Sequence, residues 1–173
     1  DWIHDVGLRF KRSQIKASIR VNDVMLRFYW DLGRDISGML GQAKYGSGFY
    51  ASVSEDLREG FPDVSSFSVS NLKYMRYFYE LYPEAENRQR LADESSFENR
   101  QQVADEFPQQ LVFSVPWGHH IVLLGCCKGN QDKALFYVRK IVENNWSRAV
   151  LLNFLDSGLY ERKGKAVTNF ATT

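Results

Sequence analysis

The sequence predicts an all-α fold: a long N-terminal helix followed by a helix-turn-helix-like helical bundle, about six helices in all. Three observations predict it. Apolar residues recur with a period near 3.6, and strand-like alternation is nearly absent. Capping residues and a proline open the periodic stretches, and glycine or proline follows them. Hydrophobic residues make up 44% and aromatics 14% of the 173 residues, enough to build a core and to exclude wholesale disorder.

The first helix spans about Val6 to Leu40. On a helical wheel Ile15, Ile19, Leu26, Tyr29, Ile36 and Leu40 share one arc, and Val21, Met25, Phe28, Leu32 and Met39 share the next. Together they cover about half the circumference, wider than the ~100° stripe of a surface helix. Such a helix is central to its own domain or shared with a second subunit. The remaining arc carries Arg9, Arg12, Lys16, Arg20, Arg27 and Arg34 as a basic ridge, interrupted or flanked by Asp23, Asp31 and Asp35. Glycines between positions 41 and 48 end it.

A second helix runs from Gly48 to Gly60, with Phe49, Val53 and Leu57 on one face, and Phe61-Pro62-Asp63 stops it. Ser68 or Ser70 caps a third helix that reaches Tyr82, with Leu72, Met75, Phe78, Tyr79 and Tyr82 inward. Residues 84–110 are acidic and rich in Gln and Asn, and read as a long loop. Pro116 opens a fourth helix that runs to about Leu124. Asn130 or Asp132 starts a fifth, with Leu135, Val138, Ile141 and Val142 inward. Trp146-Ser147-Arg148 begins a sixth, which Gly158 stops. From Glu161 to Thr173 the chain turns polar and loses its period, as a linker would. The expected organisation is one helical domain over 1–160 and the start of a linker over 161–173.

Composition narrows the function classes. The chain carries 22 basic and 21 acidic residues, a net charge of +1. That excludes a grossly basic nucleic-acid protein but not a basic patch. Charge is uneven: residues 1–20 hold five basic and two acidic side chains, 84–106 hold three and seven, and 128–148 hold five and two. No apolar run approaches the roughly 20 residues of a membrane helix, and the N-terminus does not read as a secretory signal. Cys126 and Cys127 are adjacent and cannot found a disulfide framework, so a reducing, cytoplasmic setting is expected.

Helices two and three, joined by Phe61 to Phe67, resemble a helix-turn-helix with a long turn. Ser68, Ser70, Asn71, Lys73 and Arg76 then fall on the N-terminal half of a recognition helix, where polar and basic side chains reach phosphates and base edges. A plain helix pair with a solvated face carries the same residues. His119 and His120 point about 100° apart on a helix and cannot ligate one metal at the usual i, i+4 spacing. One core and one surface histidine is the simple reading; a phosphate contact at the helix start is the other. No nucleophile elbow, phosphate loop or dinucleotide glycine set occurs. Asp156 with Glu161 and Lys163 imitates a nuclease carboxylate set, but on a helix end and tail rather than on strands. Neither a catalytic residue nor a metal ligand is expected here.

Four segments carry a family likeness. Phe28-Tyr29-Trp30-Asp31-Leu32-Gly33-Arg34-Asp35-Ile36 resembles a YWxIGrxI segment. Phe67-Ser68, Asn71-Leu72 and Met75-Arg76 with Phe78 resemble FSxxNLxxMRxF. Val115-Pro116-Trp117-Gly118-His119-His120 resembles PWGHH, and Trp146-Ser147-Arg148 with Leu151 resembles GWSRxxL, with Asn145 where glycine is common. In this order they resemble the YhcG-type proteins of the DUF1016 group of bacteria. The resemblance implies an N-terminal helical domain followed in cis by a nuclease domain of the PD-(D/E)xK class. It implies a Mg²⁺-dependent nuclease as the whole protein, with no cofactor in this part. DNA is the expected partner, contacted by Ser70, Asn71, Lys73, Arg76, His119, His120, Arg139, Lys140 and Arg148. The alternative is a dimerisation or protein-interaction module, a homodimer formed through the first helix.

Overall fold

The computed structural model describes residues 2–41, 48–83, 85 and 108–168, and these are helical throughout with short connections. In chain order the helices are α1 (Trp2–Gly41), α2 (Phe49–Gly60), α3 (Val69–Leu81), α4 (Trp117–Cys127), α5 (Gln131–Asn144), α6 (Arg148–Asp156) and α7 (Leu159–Thr168). Short 3₁₀ segments at Ser65–Phe67 and Pro108–Ser114 precede α3 and α4. The expected loop over 84–110 lies almost wholly outside the described residues.

The capping chemistry settles the element starts. The Ser68 hydroxyl accepts from the Asn71 amide and the Ser147 hydroxyl from the Val150 amide, each at 3.3 Å; the Asn130 side chain accepts from the Lys133 amide at 3.0 Å. Pro116 occupies the position before α4, one residue outside the expected first turn, and no side chain caps that helix. Three ends carry a left-handed residue, with Gly158 (φ 63°) after α6. Lys128 and Gly129 (φ 48° and 80°) close α4, and Asn145 (φ 50°) closes α5. Asn145 therefore stands where a left-handed C-cap is required, which is where glycine is the easiest residue.

Two boundaries differ from the sequence reading. α1 starts four residues earlier, at Trp2. The segment read as an aperiodic linker opens with α7, whose side chains are tied back to α5. Lys133 pairs with Glu161 at 2.6 Å, the Tyr160 amide donates to the Tyr137 hydroxyl at 3.3 Å, and the Tyr160 ring packs on Phe136 at 5.4 Å. Leu159 and Tyr160 supply that apolar anchor, too short a run to show a period.

The core forms where the second half of α1 crosses α3. Leu26, Tyr29, Trp30, Gly33 and Ile36 of α1 are buried against Leu72, Met75 and Phe78 of α3. Gly33 permits the approach: a Cβ there would lie 2.1 Å from the Met75 carbonyl oxygen. The Trp30 indole donates to the Tyr82 carbonyl at 2.8 Å and fixes the far end of α3. α4 lays Leu123 and Cys127 on the other side of α3, and α5 adds Ala134, Leu135, Tyr137, Val138 and Ile141.

The first half of α1 leaves this body. Every residue from 2 to 20 is exposed, so the apolar arc that is buried over 26–36 continues outward through Ile15 and Ile19 into solvent. The wide apolar arc read from the sequence thus divides lengthwise. One arc packs inside the domain over the second half only; in the second arc Val21, Met25, Phe28 and Met39 stay exposed, while Leu32 packs against the core.

Candidate nucleic-acid interface

The four family-like segments interlock. Asn71, in the first turn of α3, donates from its amide to the Ser66 carbonyl at 2.7 Å and accepts the Trp117 indole N–H at 2.8 Å. Trp117 packs on Tyr29 at 4.9 Å and on Phe78 at 5.3 Å. The Tyr29 hydroxyl donates to Ser66 at 2.9 Å, and the Ser54 hydroxyl to the Phe67 carbonyl at 2.7 Å. His119 bonds through Nε2 to the Trp146 carbonyl at 2.9 Å; a carbonyl only accepts, so this nitrogen carries the proton. His120 bonds likewise to the Val112 carbonyl at 2.8 Å and packs on Phe78 at 4.7 Å. Burial holds the His120 imidazole down to about 4, so it is neutral near pH 7.

This placement corrects one of the nine expected DNA contacts, His120, and engages a second, Asn71, within the domain. His120 is fully buried, and both ends of the Asn71 amide are consumed within the domain. Both are joints between elements; His120 is out of reach of an external ligand, and Asn71 is half-buried. A sequence motif cannot separate the two roles, because an amide or imidazole suits a base edge and an internal carbonyl equally well.

The joints have a consequence for the surface. Asn71 links the start of α3 to the start of α4, and His119 links the first turn of α4 to the residue before the Ser147 cap of α6. The N-terminal ends of three helices are therefore chained together. Each such end carries partial positive charge, roughly half an elementary charge. Ser70 and Arg148 are exposed on the first turns of α3 and α6, Lys73 is exposed at the start of the second turn of α3, and His119 is half-buried on the first turn of α4. Lys73 reaches over the Tyr50 ring of α2 at 5.6 Å.

The other expected contacts lie apart or are engaged. Arg76 faces Glu80 at 3.2 Å and stacks on Tyr77 at 4.8 Å, so its charge is largely answered within α3. Lys140 pairs with Glu143 at 2.5 Å on α5, and Arg139 is half-buried there. The basic ridge of α1 also divides. Arg27 pairs with Asp23 at 3.0 Å and lies over Phe113; Arg34 pairs with Asp31 at 3.0 Å and lies over Trp30. Arg9, Lys11, Arg12, Lys16 and Arg20 are exposed on the free half.

Among the described residues, no group of three His, Cys, Asp or Glu side chains is gathered for a metal ion, and no helix is long and apolar enough to cross a membrane. Asp156 and Glu161, the pair that imitates a nuclease motif, serve different ends: Asp156 closes α6, and Glu161 holds Lys133. The exposed Cys126 and buried Cys127 are free thiols, and burial pushes the Cys127 thiol up to about 12.

A long projecting helix set on an aromatic-jointed helical body defines an all-helical domain, and comparison with known proteins places it. The chain belongs to the family described as the DUF1016 N-terminal domain, which matches residues 5–162. It is 28% identical to an Escherichia coli (strain K12) protein named "Putative nuclease YhcG", over 92% of this chain and 45% of that protein. The chain thus spans less than half the length of that relative. No solved structure matches it.

Proposed function

We propose that this domain is the DNA-positioning, non-catalytic part of a nuclease protein. The observation that carries the reading is the joining of three helix N-termini, with Ser70 and Arg148 exposed on first turns and Lys73 exposed one residue beyond the first turn of α3. Helix N-termini present backbone N–H groups and positive potential to anions, and phosphate contacts of this kind position a duplex without reading its sequence. α4 adds to this because no side chain occupies its N-terminal donors. Arg139 and Lys140 extend the positive surface along α5 in this reading, and Arg76 contributes where phosphate competes with Glu80.

The nuclease chemistry belongs, in this proposal, to the part of the relative's length that this chain does not match. There a PD-(D/E)xK-type core would hold Mg²⁺ with its carboxylates, in a cytoplasmic protein. The test is a titration of this chain against fluorescent duplex, branched and single-stranded DNA at 50 and 150 mM salt. Binding that weakens at least tenfold between the two salts, and again in Lys73→Glu combined with Arg148→Glu, is expected. No binding at 50 mM salt would sink the reading.

A second reading, an assembly module, is favoured by the exposed apolar half of α1.

A further inference from the structure

We propose that two copies of this chain pair antiparallel along α1, through a seam formed by Ile3, Gly7, Phe10, Gln14, Ala17, Val21, Val24 and Phe28. This goes beyond the DNA reading and does not depend on it.

The seam follows from spacing. From Ile3 onward its residues recur at alternating steps of four and three, the repeat that keeps a stripe facing one helical partner. It lies on the arc of α1 that the domain leaves open: Phe10 is 61% exposed, Val21 and Val24 63%, and Phe28 44%. The next two positions of the repeat are Asp31 and Asp35, both unsuited to a buried seam. The apolar stripe therefore has a defined extent, about 39 Å over residues 3–28. Helix pairing over that length, with two phenylalanines from each copy, reaches the roughly 1,000 Å² that a specific interface needs.

Complementarity selects a second copy, and the antiparallel direction, as the occupant. Turned end for end, the seam sets Ile3 against Phe28, Gly7 against Val24, Phe10 against Val21 and Gln14 against Ala17. Each large side chain meets a smaller one or the end of the seam. A parallel pair sets Gly7 on Gly7 and Ala17 on Ala17, and leaves holes. Gly7 gains a reason as well. A Cβ there meets nothing within 4 Å, so the isolated domain does not require glycine, although glycine inside a helix costs about 1 kcal/mol.

The test is sedimentation velocity of this chain from 1 to 100 μM at 50 and 500 mM salt, with cross-linking. A dimer that persists at high salt is expected, because its seam is apolar. Phe10→Glu and Val24→Glu should each raise the dimer dissociation constant at least a hundredfold, with the circular dichroism of the domain unchanged. Both side chains lie outside the body, so folding is not at stake. On a Cys126→Ser background, Gly7→Cys and Val24→Cys chains mixed together should form mixed disulfides and few like pairs. The two positions are about 25 Å apart along one helix, so a parallel dimer cannot link them. A monomer at 100 μM, a dimer indifferent to both Glu variants, or like-with-like disulfides would each overturn the proposal. None of these outcomes bears on DNA binding by the α3, α4 and α6 surface.

Discussion

Gly33 lies against the backbone of Met75: a Cβ on Gly33 would stand 2.1 Å from the Met75 carbonyl oxygen. That contact sets the separation of α1 and α3 and so the depth at which Trp30 and Tyr29 are seated.

Gly33→Ala should therefore destabilise the domain although alanine is the better helix former. The clash is with main chain, which cannot swing aside, and overpacking of this kind costs about 1–3 kcal/mol. Gly38, one turn on, meets nothing within 4 Å. Gly38→Ala should stabilise by up to about 1 kcal/mol through helix propensity alone. Urea unfolding of both variants checks the pair, and equal signs would contradict the packing argument.

The family-like segment around Gly33 shows what was legible in the sequence. Period and caps located the main helices, because burying one face leaves a regular imprint on residue type. The division of α1 into a buried and a projecting half left no imprint, since Ile15 and Ile19 look the same whether a partner covers them or not. The role of Asn71 was equally hidden, whereas the His119-His120 pair was legible as one core and one surface histidine. A polar residue near a helix start reads as a ligand contact until the carbonyl or indole that consumes it is placed in space. Asn145 is the reverse case: its departure from glycine was visible, and the left-handed backbone supplies the reason.

At Asn145 (φ 50°) the domain tolerates a side chain where glycine has no Cβ penalty. Asn145→Gly should leave stability unchanged or raise it by up to about 1 kcal/mol. Asn145→Val should lower it by about 1–2 kcal/mol, since a β-branched residue resists positive φ. Thermal unfolding of the two variants, with α5 helicity followed by hydrogen exchange, reads the difference.

His120 gives the domain an acid limit. Burial lowers its pKa in the folded chain to about 4, from 6.5 in an unfolded one. Between those values the unfolded state binds the proton and the folded state does not, so stability rises with pH. The contribution is complete above about pH 6.5, is lost as pH falls toward 4, and is flat below that. It amounts to at most about 3 kcal/mol. His120→Gln keeps a donor for the Val112 carbonyl and should flatten the slope between pH 6.5 and 4. An unchanged slope in denaturant unfolding of that variant would assign the acid limit to another group.

Asn71 and Lys73, two residues apart on α3, should separate cleanly by experiment. Asn71 receives the Trp117 indole and donates to the Ser66 carbonyl, so Asn71→Ala leaves a half-buried N–H and a carbonyl without partners. A loss of about 1–3 kcal/mol in stability is expected, with little change in the DNA affinity of the fraction that remains folded. Lys73 is exposed and lies over Tyr50 at 5.6 Å, a weak contact at such a site. Lys73→Glu should cost less than about 1 kcal/mol in stability. It should weaken DNA binding severalfold and make the salt dependence shallower by about one ion. Denaturant unfolding and salt-series titrations on the same two proteins decide the matter. A Lys73→Glu chain that binds DNA like the parent removes α3 from the interface. An Asn71→Ala chain with parent stability and weakened binding would restore Asn71 as a direct contact.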